Sequence, residues 1–535
     1  MTADNFFTTL NTVVSTVQQR GYSSELIGRV LSDRGLAAAN SRNYAAAAWY
    51  ARTEKATSTT EIDLAVVLGC YLREPLSSTK WDEIFGAELA GKMHSHGIIS
   101  DGRLQVDIRP ISATVHGDVE ILLVSDPDAA AEVHKTDSNH VPGAGNASMS
   151  LLNVVPPLSA AAQEQAPSEV TEILDLGCGS GVLSLLLESN SPSVRVTGTD
   201  ISQRALAFAR LGRAGTARGV EPNNVEWLHG SWFEPVRGRT FDVVVSNPPF
   251  VMAPPARDET KTYRESGLEL DSASALVVGE AATYLRPRGR AHLLAGWALA
   301  DGESAAQRIS GWLPSTGVRA WVVQREIVNV AEYVNTWLSD EGVDTRSTEG
   351  RARVEEWLNY LAGHGVSHIG MGYVHLEKLD EDQATEMTFE VLDQPLPAGT
   401  YLGYEVAEWF ERAEWLAHID REQLLDSAFA VRPSVAIERV EVTDSEQGQG
   451  FKELAVRLSR TEGPAWTHEI DSHVRAIISG LNPQGLPLRD VVELYCAVQG
   501  LDEALFSDAL IPIITDLIRH GFVLPADLLT VIEEE

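Results

Sequence analysis

EILDLGCGSG, residues 172–181, runs apolar into Asp175 and then breaks into Gly177, Gly179 and Gly181. A buried strand that ends in a glycine-rich turn lets the backbone approach a ligand closely, because glycine carries no Cβ. The spacing is G-x-G-x-G, whereas a dinucleotide fingerprint reads G-x-G-x-x-G. A pyrophosphate is therefore not the expected ligand. Downstream, VRVTGTD (194–200) is a second strand ending in Asp200, and a helix is predicted from about Ser202. VEWLHGSWFEPV (225–236) is a third strand and turn, and FDVVVSNPPF (241–250) a fourth. Strands at 172–176, 194–199, 225–228, 242–246, 289–295, 319–325 and 367–377 alternate with helical segments, which predicts a doubly wound α/β sheet over residues 138–380.

Outside that core the pattern changes. Residues 1–135 begin as short helices: Leu10, Val13, Val14 and Val17 fall at helical spacing, and Ser23 reads as an N-cap for a helix through Leu31. The strand-like pieces LQVDI (104–108) and VEILLV (119–124) follow. Helices with a small hairpin predict a winged-helix-like module that positions a substrate. Residues 155–169 read as a loose link into the first strand, 381–450 as an acidic connector without assignable elements, and 451–535 as a helical or winged-helix-like tail.

Across 535 residues the formal charge is −34. Such a surface disfavours polyphosphate partners unless basic residues cluster, and no basic run exists. DNA is not an expected partner. Cys70, Cys178 and Cys496 match no disulfide or metal spacing and are expected to be reduced thiols, with no metal held. No apolar run approaches the roughly 20 residues of a membrane span. The N-terminus lacks a signal-peptide pattern, so a cytoplasmic location without membrane contact is expected.

The glycine turn, Asp200 and SNPPF, in this order and separation, resemble the class I S-adenosylmethionine (SAM)-dependent methyltransferases, in the HemK-like branch that methylates planar NH2 groups. The resemblance spans about 240 residues and implies a Rossmann-like sheet with SAM as cofactor. It places Asp175 near the amino end of the methionine moiety, with Gly177, Cys178, Gly179 and Gly181 along its passage. Asp200, followed by Ile201, is suited to accept both ribose hydroxyls, although the same position suits a helix N-cap. Members of the branch often carry an acidic residue where this chain has Ser231; Ser231 and Trp232 are the candidate adenine contacts, with Phe233 either beside them or in the core. Gly143, Gly145 and Ser148 are candidates to close over the cleft.

Asn247, Pro248, Pro249 and Phe250 are the expected catalytic tetrad, with Asn247 also beside the cofactor. An amide or exocyclic amine is a poor nucleophile because its lone pair is delocalised. The Asn247 side-chain carbonyl and the Pro248 backbone carbonyl can accept its two N–H groups and aim the lone pair at the methyl group. The prolines stiffen the loop, and Phe250 can stack on a flat substrate. Tyr263, Arg264 and Glu265 either gate the site or sit in a solvated loop. Arg288 stands where related chains often have one glycine of a pair. The implied acceptor is macromolecular: protein glutamine of the release-factor type, favoured over an RNA guanine N2 or adenine N6. A catalytically silent scaffold of the same fold is the alternative from another class. Residues 1–135 and 451–535 are expected to select the acceptor.

Overall fold

The structure is a computed structural model that describes residues 3–54, 59–113, 119–127, 139–158, 170–189, 193–214, 224–255, 267–392, 394–396 and 400–532. The chain divides into two compact units, residues 1–152 with 166–394, and residues 153–165 with 395–535.

The first unit opens with helices Ala3–Gln19, Ser24–Asn40 and Tyr44–Thr53, then shorter helices as far as Ala87–Ser95. Leu10, Val13, Val14 and Val17 are fully buried, as their spacing requires. Ser23 caps the second helix by accepting the Leu26 N–H; the helix runs beyond Leu31 to Asn40 with a kink at Ser32. A small hairpin, β1 (Ile99–Ser100) and β2 (Arg103–Leu104), precedes the antiparallel pair β3 (Asp107–Ala113) and β4 (Val119–Ser125).

The main sheet takes β5 (Thr171–Leu176), β6 (Val194–Asp200), β8 (Val225–His229), β9 (Phe241–Ser246), β10 (Leu285–Leu299), β11 (Val318–Asn329), β12 (His368–Lys378) and β13 (Glu386–Val391). The short β7 (Arg213–Ala214) pairs instead with β4. The order across the sheet is β13-β11-β12-β10-β9-β5-β6-β8. Neighbours are parallel except β12, which runs antiparallel to both β10 and β11. Strands covered on both faces must be apolar throughout, and Val243, Val244 and Val245 are all buried. The order reverses at β5, between β6 and β9, and ligands of such sheets bind beyond the strand C-termini at this switch point.

No unit boundary falls near residue 135. Ala205, Phe208 and Leu211, from the segment after β6, belong to the same apolar cluster as the N-terminal helices. Phe7 meets Phe208 edge-on at 5.4 Å, and β7 extends the N-terminal sheet. The N-terminal segment and the methyltransferase-like core are thus one packed body.

The sheet also carries polar groups. Glu377 is fully buried between Arg290 (3.0 Å) and Arg319 (3.3 Å). His292 on β10 faces His375 on β12 at 2.9 Å. Burial pushes His375 down to about 3, and burial with the His375 neighbour pushes His292 well below its ordinary value. Arg288 adopts a left-handed φ of 64° next to Gly289, the conformation a glycine would take more easily. An insertion between β11 and β12 forms helices Val330–Asp340 and Thr348–Gly363, capped by Asn329 and Ser347.

The second unit has helices Gly403–His418 and Arg421–Asp426, strands β14 (Phe429–Val431), β15 (Val435–Thr443), β16 (Phe451–Arg460) and β17 (Thr467–Ile470), three helices between Ser472 and Arg519, and β18 (Val523–Pro525) before a last helix. Its core gathers Phe429, Leu458, Ile477, Leu488, Ile514 and Phe522. Within it Glu405 is buried between Arg412 (2.5 Å) and Arg460 (2.6 Å), and the guanidinium charges outweigh burial to hold its carboxyl below the ordinary range. Residues 381–450 are therefore not a connector: they supply β13 to the first unit and two helices and two strands to the second.

Candidate cofactor and acceptor cleft

The glycine turn opens on a cleft of about 240 Å³ at the C-terminal ends of β5, β6 and β9. Gly177 (φ 74°) and Gly179 (φ 55°) need left-handed backbone, and no atom lies within 4 Å of where a Cβ would point. Gly181 (φ 84°) differs. A Cβ there would meet the Trp227 ring at 2.6 Å and Ala209 at 3.0 Å, and it does not line the cleft. It makes room for packing of the following helix, Val182–Glu188, not for a ligand.

Asp175 is 1% exposed and accepts from both the backbone N–H (3.0 Å) and hydroxyl (2.6 Å) of Ser184. Burial raises its carboxyl to about 6, and the two Ser184 bonds oppose the rise. Asp200 accepts from Gly179 N–H (2.9 Å) on one oxygen and Ser202 N–H (2.7 Å) on the other. Burial raises it, opposed by these bonds. Each Asp200 oxygen keeps a second acceptor direction. The N-cap of helix Gln203–Ala209 is Ser202, whose hydroxyl accepts from Ala205, so Asp200 is not needed for capping. Ile201 is 57% exposed beside the cleft. Burial, and then the nearby Asp175 and Asp200, push the Cys178 thiol well above its ordinary value; it is neutral, not a nucleophile.

Ser231 and Trp232 both line the cleft. Trp232 holds a left-handed φ of 48°, rare for a bulky residue. Phe233 turns inward, 2% exposed, and stacks on Tyr284 at 4.3 Å. On the opposite wall stand His140, Val141, Pro142, Gly143 and Ser148, without Gly145. Ser180 donates to the Pro142 carbonyl (2.9 Å), and Asp126 accepts both the Val141 N–H (2.9 Å) and the Arg204 guanidinium (2.5 Å).

The tetrad divides. Ser246 donates to the Leu176 carbonyl (2.8 Å), tying the end of β9 to that of β5 and placing Asn247 in the cleft beside the glycine turn. Asn247 Nδ2 donates to Ser148 Oγ at 3.1 Å. Pro249 lines the cleft; Pro248 is buried, and Phe250 lies outside the lining with its ring edge-on to Trp337 at 6.4 Å. Met252 N–H donates to the Tyr333 hydroxyl (2.9 Å). Tyr263, Arg264 and Glu265 lie outside the described residues. Ser180 and Ser246 sit inside the quoted motifs and Ser184 three residues beyond the first, yet none gives a sign of its bonds there, and Tyr333 and Trp337 come from an insertion with no motif. Among the described residues no His, Cys, Asp and Glu group could hold a metal ion.

A family model described as the methyltransferase small domain matches residues 158–294. Residues 158–294 are a class I SAM-dependent methyltransferase domain. This methyltransferase domain is 33% identical over 136 residues to a release factor glutamine methyltransferase of Aliivibrio fischeri, covering 24% of this chain and 44% of that one. It is 32% identical over 140 residues to a bifunctional methyltransferase of Rickettsia felis (24% and 25%). It is 38% identical over 129 residues to a ribosomal RNA small subunit methyltransferase C of Citrobacter koseri (24% and 32%). The chain thus spans less than half the length of these curated relatives. Residues 407–525 match a domain of unknown function, DUF7782. The methyltransferase domain fits SAM: Asp200 is fixed with spare acceptor capacity, Gly177 and Gly179 leave open backbone, and Trp232 and Ile201 offer apolar faces. Among the described residues no helix is long and apolar enough to cross a membrane.

Proposed function

We propose that this chain transfers a methyl group from SAM to the NH2 nitrogen of a planar group, most favourably a glutamine side chain of a protein of the release-factor type. Bound SAM supplies an activated methyl sulfonium. Asp200 holds the ribose, and the glycine turn lets the cofactor lie against the backbone. Asn247 carries the reading: its carboxamide stands in the same cleft, with its amide side taken by Ser148.

The Asn247 Oδ1 accepts one N–H of the acceptor and the Pro248 carbonyl the other. The nitrogen is drawn toward tetrahedral geometry and its lone pair toward the methyl carbon. Held by Asp200 and the glycine turn, SAM would supply the methyl group for the new N–C bond and keep the electron pair on sulfur, and the acceptor nitrogen would release one proton to water. A formal charge of −34 favours a protein acceptor over RNA, since RNA binding is carried largely by phosphate neutralisation. The likeness to an rRNA methyltransferase supports the second reading, a guanine N2 or adenine N6 in RNA. Tritiated SAM is offered with a purified bacterial release factor and with total RNA in parallel. Label is expected in the protein, as methylglutamine by mass spectrometry. Label confined to RNA selects the second reading, and no label in either removes both.

A further inference from the structure

We infer that Ser148 is a positioning residue that sets which way the Asn247 carboxamide faces; this rests on the acceptor role proposed for Asn247. The two residues are 99 positions apart, yet both line the cleft. A carboxamide rotated by 180° exchanges a carbonyl for an NH2 at nearly the same place. Facing an acceptor NH2, the first orientation offers an oxygen and the second offers two more donors, which repel.

In the structure Nδ2 donates to Ser148 Oγ, and Oδ1 makes no hydrogen bond among the described residues. That is the productive orientation. A hydroxyl can accept or donate, so Ser148 accepts from Nδ2 whenever an acceptor NH2 engages Oδ1, and it holds the carboxamide in that pose because its own place is fixed. Its helix, Asn146–Leu152, buries Leu151 and Leu152, and the Tyr373 hydroxyl donates to the Ser150 carbonyl at 3.5 Å. The preceding loop is pinned by Ser180 and Asp126.

The test compares Ser148→Ala and Ser148→Thr in the full chain. The readouts are SAM affinity by calorimetry, the Asn247 side-chain NH2 signals by 15N NMR, and kcat on whichever of release factor or RNA takes up label. In Ser148→Ala the NH2 proton that faced Ser148 should shift upfield toward the position of a free carboxamide, and kcat should fall about tenfold with SAM affinity unchanged, as expected for one lost hydrogen bond felt in the transition state. Ser148→Thr should restore both readouts. Unchanged NH2 signals in Ser148→Ala, or a kcat within about twofold of wild type, overturn the inference. Asn247→Ala run alongside separates the two claims: full activity there removes the acceptor role itself, while a loss there with none in Ser148→Ala removes only the role of Ser148.

Discussion

At the β5 and β6 end of the cleft, the two carboxylates are bonded to close neighbours in sequence. Asp175 meets Ser184 nine positions on, and Asp200 meets Ser202 two positions on and Gly179 twenty-one back. At the β9 end the partners are remote: Asn247 meets Ser148 across 99 positions, and Met252 meets Tyr333 across 81. The cofactor end is built from one supersecondary unit and is set once that unit folds. The β9 end is assembled by elements that precede β5 and follow β11 in the chain. Changes far from the chemistry should therefore alter turnover while leaving cofactor affinity alone.

The largest expected effect strikes the local end. Gly181→Ala places a Cβ against Trp227 at a left-handed φ. Combined strain and overpacking should cost about 4 kcal/mol of stability. Denaturant unfolding checks this, and a loss below about 1 kcal/mol would show that the turn is not fixed by packing. Next, Asp200→Ala should weaken SAM binding by about 1–3 kcal/mol, the range for charge-assisted hydrogen bonds; calorimetry with unchanged affinity would take Asp200 out of the site. At the remote end, Tyr333→Phe leaves the Met252 N–H without its acceptor. It should cost about 1 kcal/mol and appear in acceptor turnover rather than SAM affinity. The reverse pattern would contradict the separation of the two ends.

A further contrast is one of titration. Asp175 has a folded-state value near 6, above its ordinary 3.8. The folded state holds that proton more tightly, so the contribution of Asp175 is complete below about pH 4 and is lost as pH rises to about 6. The stability of wild type relative to Asp175→Asn should fall across that window. The His292–His375 pair has the opposite sign, because its folded-state values are depressed. Its contribution is present above about pH 6.5 and is lost as pH falls. A gap between wild type and Asp175→Asn that does not change between pH 4 and 6 would refute the burial of a titrating carboxylate at the cofactor end.

The same contrast governs how much could be read from the chain. The first seven strands of the sheet and the turns after β5 and β9 were legible because each strand and its turn are contiguous in sequence. Gly181 was misassigned to the cofactor because its spacing matches the motif, while the Trp227 ring that requires it lies on another strand. β13 was invisible for an electrostatic reason. Glu386 and Glu390 share one face of it and bond Arg319 and Trp321 of β11, so a half-exposed edge strand reads as an acidic stretch. The shared core of residues 1–127 with the methyltransferase domain rests on Phe7, Phe208 and β4–β7 pairing, none of which has a local signal. Removing the N-terminal segment should therefore unfold the domain rather than merely deprive it of an acceptor.

The most direct test is Asn247→Ala, with SAM binding and methyl transfer measured on the same preparation. An acceptor aimed at the reacting nitrogen acts mainly in the transition state. Calorimetric affinity for SAM should stay within about twofold of wild type while transfer of tritiated methyl falls by about a hundredfold or more. Transfer at the wild-type rate, or a loss of SAM binding as large as that of Asp200→Ala, would contradict it.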